Sequence, residues 1–364
     1  MLAPADLRHL KPVHRVTIAA AALLTAIAGV ATAIGLDSVT RFVLAGLALA
    51  AAAALVGQAI DQVGERVGPG GTGLLQSTMG NLPELLVGLF ALRAGLTTVV
   101  QSALVGSVLA NAVLVLGLAF VAGGLRHGVQ RFDPEEPRLN ASLLLLVVAA
   151  LVIPTLANDL HTPAASHISA LSDACAIILL LVYAASVPFY LRRRVTAEDH
   201  ADHADGGGGE PSWPLRLSVA VLALGSLAAA LASDWFVDPL QAATQELGLS
   251  ETFTGLVVVA IASNAVEHVV GIRFALRAKP EYAISTTLNS PLQVALLLTP
   301  VLVLLSRVVG PTQLNLVFPP LLVAALAISA LVVAVIIYDG EFNWVEGTAL
   351  VALYCIIATA FWWG

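Results

Sequence analysis

The sequence predicts an all-α polytopic membrane protein with eleven transmembrane helices: an extra first helix, then two inverted five-helix repeats. Three observations carry this expectation. Of 364 residues, 58% are hydrophobic and 11% charged, with a mean hydropathy of +0.90, whereas soluble domains carry roughly 25% charged residues. Eleven apolar runs approach the roughly 20 residues that span a hydrocarbon core. The chain also writes one stretch twice: SNAVEHVVGIRFALRA at 263–278 repeats GNLPELLVGLFALRA at 80–94, with Asn264 matching Asn81 and Glu267 matching Glu84. Ser102 and Ser285, then Ser107 and Ser290, keep the 183-residue spacing of the two glutamates.

In order, the expected spans are 14–35, 40–60, 70–92, 98–122, 139–157, 167–190, 214–235, 253–277, 281–307, 314–338 and 344–363. The first follows Arg8, Lys11 and Arg15 and could pass for a signal peptide, but ten further spans favour a retained helix. With the N-terminus in the cytoplasm, fourteen Lys and Arg fall on cytoplasmic loops and helix ends. Only Arg41, Arg93 and Arg307 fall on the other side. That asymmetry follows the positive-inside rule and fits eleven spans. The expected organisation is then 1–37 as N-terminus and extra helix, 38–190 as the first repeat, 191–213 as a cytoplasmic linker and 214–364 as the second repeat. Five helices is an odd number, so the repeats are upside down relative to each other. The linker holds Arg192, Arg193, Arg194, five acidic residues and four glycines at 206–209. It reads as a basic stop-transfer cluster and a solvated spacer, or as an acidic segment that attracts cations.

Glu84 and Glu267 fall well inside their runs, where an ionised side chain costs at least about 2.5–3.5 kcal/mol, so a role is the default reading. A lone protonated carboxyl bonding a neighbouring helix would be the plainer account; a pair repeated in both halves weakens it. Asp173, near one end of its run, reads as a solvated helix start. Asn81 and Asn264 each precede a glutamate by three residues and share its helix face. Gly80 and Pro83 weaken the backbone ladder around the first pair. Such breaks are tolerable at membrane depth only where they line a cavity or bind a ligand, and they mark the ion sites of transporters built from inverted repeats. Downstream, Gln101, Ser107 and Asn111 in the fourth span, and Thr286, Ser290 and Gln293 in the ninth, form polar stripes. Helix–helix hydrogen bonding is the alternative use of such residues.

Two carboxylates among neutral oxygens suit a hard cation such as Ca²⁺, which accepts irregular oxygen cages. Two ionised glutamates cancel its charge, and two protons cancel theirs. An empty, doubly ionised pair is costly, so the carrier is expected to cross loaded with metal or with protons. Cys175 and Cys355 lie in apolar runs and offer neither a disulfide framework nor thiolate metal spacing. The chemistry expected is therefore transport without catalysis, with no cofactor. The partners are inorganic cations and the lipid bilayer, and nucleic acid is not among them.

GNLPE at 80–84, QSALVGSVLAN at 101–111 with VLVLG at 113–117, and SNAVEH at 263–268 with SPLQ at 290–293 resemble the calcium/proton antiporter branch of the cation/calcium exchanger superfamily. The resemblance covers nearly the whole chain. It implies that Glu84 and Glu267 are shared Ca²⁺/H⁺ carboxylates and that Asn81, Asn264, Gln101 and Gln293 line or gate the site. His268 would be the histidine paired with the second glutamate. Two positions depart from the family pattern: Ser263 stands where the second repeat usually has Gly, and Asn289 where Gly usually precedes the serine. Sodium-coupled relatives carry further acidic ligands where this chain has Ser, Asn and Gln, which favours proton coupling. The alternatives are Na⁺/Ca²⁺ or monovalent cation/H⁺ exchange on the same fold, a channel and, more remotely, an intramembrane hydrolase using the two carboxylates as an acid–base couple. Short loops and Ala/Leu-rich helices point to a bacterial inner membrane.

Overall fold

The computed structural model describes residues 12–204 and 213–363, with side chains left aside at 65, 67–78, 189–204 and 266. Arg8, Lys11 and the glycines at 206–209 lie outside the described residues. The chain forms two compact units, one from residues up to 90 plus 182–243, the other from 91–181 plus 244 onward.

In the first unit α1 (Pro12–Ala33) and α2 (Ser38–Met79) pack with α8 (Leu215–Val237). These helices meet on small residues, so the few large side chains set the spacing. Ala21, Leu55, Ala59, Trp213, Leu217 and Val221 form one buried cluster. Phe42 stacks on Phe236 with ring centroids 4.5 Å apart. The Trp213 indole N–H donates to His14 Nδ1 at 2.9 Å, and its backbone N–H donates to Gln62 Oε1 at 3.1 Å. The sequence placed a loop between the second and third runs, yet α2 continues through 61–69 as one 42-residue helix. The polar residues there interrupt the apolar pattern without breaking the backbone ladder. The break comes later, at Gly80 and Asn81, before α3 (Leu82–Arg93).

The second unit is built from α4 (Thr97–Leu109), α5 (Leu116–His127), β1 (Gln130–Arg131), α6 (Glu135–Asp159) and the start of α7 (Ile168–Ala204). Its later part holds α9 (Leu240–Glu246), split between the units, then α10 (Glu251–Phe253), α11 (Ala260–Leu276), α12 (Pro280–Gln293) and α13 (Thr299–Val309). It ends with α14 (Pro320–Ile336), β2 (Glu341–Phe342) and α15 (Trp344–Trp362). Wide π-helical turns at Ala110–Val115, Thr254–Val259 and Val294–Leu298 join α4 to α5, α10 to α11 and α12 to α13. Turns of this kind are rare and gather at functional sites. At one crossing the backbones touch: a Cβ on Gly106 would lie 2.2 Å from the Leu256 carbonyl oxygen, and one on Gly255 2.6 Å from that of Val99. Gly117 and Gly347 allow the same closeness between α5 and α15.

Among the described residues eight helices are long and apolar enough to cross a membrane. A ninth candidate, Glu251–Leu276, bends by 68° between Ala265 and Glu267. The tenth run, expected over 314–338, is helical only from Pro320 to Ile336. Pro311 and the Pro319–Pro320 pair deny that stretch its helical ladder, leaving 310–319 extended although Leu314, Leu316 and Phe318 are buried. Side chains satisfy its backbone instead: Ser306 Oγ accepts from Leu314 N–H, Ser172 Oγ from Leu316 N–H and Thr155 Oγ1 from Phe318 N–H, at 2.9–3.2 Å. The linker expected from 191 begins as helix, since α7 runs on to Ala204. Asp173, expected as a solvated helix start, pairs with Arg307, whose Nε lies 2.8 Å from its carboxylate.

Candidate ion-binding site

The first glutamate segment lies in the first unit. Asn81 stands at the helix break, its carbonyl accepting the Leu85 N–H at 2.9 Å. Pro83, which has no N–H to lose, occupies the first turn of α3, a position that tolerates it, and Glu84 follows in the same turn. Both Asn81 and Glu84 are buried. A helix N-terminus concentrates unsatisfied N–H groups and favours negative charge, so this local fold suits a carboxylate.

The second segment lies in the second unit and is built differently. Glu267 is the eighth residue of α11. Its Oε2 accepts the Ser290 hydroxyl of α12 at 2.6 Å, the short distance of a charge-assisted O–H bond. The same Ser290 oxygen lies 3.4 Å from Asn111 Nδ2, which also reaches the Ser107 carbonyl at 3.3 Å. Asn264 Nδ2 donates to Ser107 Oγ at 3.1 Å and to the Ala260 carbonyl at 3.0 Å. Glu267, Ser290, Asn111, Ser107 and Asn264 thus form one polar chain across three spans, and its last four members are buried. Ser107 lies in the last turn of α4, ahead of the wide turn that carries Asn111, and Ser290 lies in the last turn of α12, ahead of another. Asn111 Oδ1 is buried and takes no hydrogen bond from any described residue. A buried acceptor of that kind calls for an explanation such as an ion or water.

The other expected residues divide. Gln293 and Thr286 are half-buried on α12. His268, half-buried beside Glu267, has its Nε2 buried and without a partner among the described residues. Gln101 Nε2 donates to the carbonyls of Asn315 and Val317 at 3.0 and 2.8 Å, so its amide ties α4 to the extended 310–319 segment. Sequence reasoning passed over Glu136 and Asn140, which face Ser285 and Asn289 of α12. An Asn early in an otherwise apolar run was the available signal; its partner 149 residues away was not. Among the described residues no three His, Cys, Asp or Glu side chains group as metal ligands. Any cation here would therefore rest on amide, hydroxyl and carbonyl oxygens beside few carboxylates.

The sequence model of the family described as sodium/calcium exchanger protein matches residues 38–191 and 217–363. A Ca²⁺/H⁺ antiporter of Synechocystis sp. is 37% identical over 344 residues, covering 90% of this chain and 92% of that protein. The Ca²⁺/H⁺ antiporter ChaA of Bacillus subtilis is 36% identical over 328 residues, covering 89% and 92%. The solved structure of native YfkE superposes with a TM-score of 0.80 at 31% identity, over 95% of this chain and 99% of that one.

Proposed function

The chain belongs to the sodium/calcium exchanger protein family, and from that premise we propose a secondary active antiporter that exports Ca²⁺ from the cytoplasm in exchange for H⁺. It is an integral membrane transporter and not an enzyme. The observation that carries the assignment is the polar chain ending on Glu267. A half-buried carboxylate there is bonded to a hydroxyl, and the neighbouring Asn111 Oδ1 has no partner among the described residues. Ca²⁺ takes about six to eight oxygen ligands in flexible geometry, and Glu267, Ser290, Asn111, Ser107 and Asn264 offer that type of oxygen.

Glu84 and Glu267 are the carriers of charge in this reading. Ionised, they balance one Ca²⁺; protonated, they leave the site neutral. The Ser290 hydroxyl serves both states, donating its proton to a bare carboxylate oxygen or turning its lone pairs towards a cation. Asn81 and Asn264 supply amide oxygens one turn from each carboxylate, while Gln101, Gln293, Thr286 and His268 steer gating. Alternating access then moves the load, since a transporter with a filled or neutralised site crosses more readily than one with two bare charges.

Two inverted repeats over 38–190 and 214–364 belong to this proposal, as do eleven spans and a cytoplasmic N-terminus in a bacterial inner membrane. The family matches over 38–191 and 217–363 support the repeats. So do the wide turns: shifting 110–115 by 183 residues gives 293–298, and the structure has one at Val294–Leu298.

The test is exchange in proteoliposomes with an internal pH dye. A pH gradient in Na⁺-free buffer drives Ca²⁺ uptake with counterflow of protons, and Glu84→Gln or Glu267→Gln abolishes both fluxes. Near-normal uptake in either variant refutes the carboxylate assignment. Ca²⁺ movement driven by a Na⁺ gradient alone refutes proton coupling.

A further inference from the structure

We propose that Glu136, with Asn140, Ser285 and Asn289, forms a loading site that passes the transported divalent cation to Glu267; this rests on the antiport reading above. Glu136 lies half-buried in the first turn of α6. Its Oε1 accepts Ser285 Oγ at 3.2 Å and Asn289 Nδ2 at 3.1 Å. Asn140, only 2% exposed, donates its Nδ2 to Asn289 Oδ1 at 2.8 Å. Asn289 Nδ2 also reaches Ser285 Oγ at 2.9 Å, closing the cluster.

Two features separate this group from a plain tie between helices. The carboxylate has no counter-ion among the described residues. The basic side chain nearest in sequence, Arg138, is spent on the Tyr338 carbonyl at 2.9 Å and over the Tyr338 ring. Oε2 takes no hydrogen bond from any described residue, so half of the carboxylate is available to a ligand. A half-buried anion without a counter-ion draws cations from solution. Side-chain oxygens of Asn and Ser around it are the hard donors that Ca²⁺ and similar ions prefer.

The second feature is continuity. Asn289 is followed directly by Ser290, whose hydroxyl is bonded to Glu267. Two groups of oxygen donors therefore stand at neighbouring positions of α12, one facing the start of α6 through Asn289 and the other facing the half-buried Glu267 through Ser290. A cation partly stripped of water at Glu136 meets Asn289 and then Ser290, and it exchanges one hard ligand for the next at each step. Where the resembling family usually has Gly ahead of this serine, the chain supplies Asn289, whose amide joins Glu136, Asn140 and Ser285 one position before Ser290.

The experiment is initial-rate Ca²⁺ uptake as a function of free Ca²⁺ in proteoliposomes, for wild type, Glu136→Gln, Glu136→Asp, Asn289→Ala and Glu281→Gln. Folding of each is checked by size-exclusion chromatography. Glu136→Gln and Asn289→Ala raise half-saturating Ca²⁺ about five- to tenfold, with a smaller fall in maximal rate, because ground-state capture is what they remove. Glu136→Asp, which keeps the charge, recovers most of the wild-type half-saturation. Glu281, exposed in the first turn of α12, controls for general surface charge, and its neutral variant stays near wild type. If Glu136→Gln does not fold, Asn289→Ala carries the test. The proposal is overturned if both variants keep the wild-type half-saturation. It is also overturned if they lose only maximal rate, or if Glu281→Gln shifts half-saturation as far as Glu136→Gln does. A wild-type protein that moves no protons against Ca²⁺ would instead overturn the antiport reading itself.

Discussion

The two glutamate segments carry the same Asn-x-x-Glu spacing and are built on opposite local plans. Around Glu84 the helix is broken: Gly80 and Asn81 form a turn, and the carboxylate stands in the first turn of a new helix. Around Glu267 the helix bends without a turn residue, and the carboxylate takes its support from a neighbouring helix through Ser290. One acid leans on backbone dipoles and the other on a side-chain hydroxyl. Repetition in sequence therefore preserves the Asn-x-x-Glu spacing while leaving open how each carboxylate is held.

Healing the break is the strongest way to test that contrast. A Gly80→Ala/Pro83→Ala double variant lets α2 run on into α3 and removes the helix start beneath Glu84; Ca²⁺ uptake falls by about tenfold or more, since broken helices form the sites of such transporters. Wild-type rates in that variant would mean that the break has no part in transport. Ser290→Ala attacks the other plan. Hydrogen bonds to charged groups contribute about 1.5–3 kcal/mol, so a loss of about tenfold in Ca²⁺ affinity is expected, with little change in the amount of folded protein. An unchanged half-saturation would show that Glu267 does not depend on the hydroxyl. Asp173→Asn gives the smallest effect. Its ion pair with Arg307 is partly exposed, pairs of that kind contribute about 0–1 kcal/mol, and uptake should remain within about twofold of wild type. A large loss would put a third acid into the mechanism.

Much of this was legible in the residues. Apolar runs gave the helices because the hydrocarbon core permits few alternatives, and a carboxylate at depth was conspicuous for the same reason. Less legible were features that depend on a distant partner. Nothing local shows that Gln101 will cap the carbonyls of Asn315 and Val317, or that Asn140 will meet Asn289. Hydropathy also misjudged two stretches in opposite senses. It split α2, where polar residues ride on an unbroken helix, and it extended α14 backwards over 314–319, where apolar side chains ride on a non-helical chain bounded by prolines. Composition reports what a segment prefers to touch, whereas prolines and hydrogen-bond partners decide the path of its backbone.

The crossing at Gly106 and Gly255 has a consequence for leakage. An exchanger keeps its ion ratio only if no file of waters bridges the two compartments, because protons hop along such a file without any carrier. With main chain pressed on main chain at that seam, not even one water fits between them. The glycines thus act as a gasket, and any wet passage must skirt it.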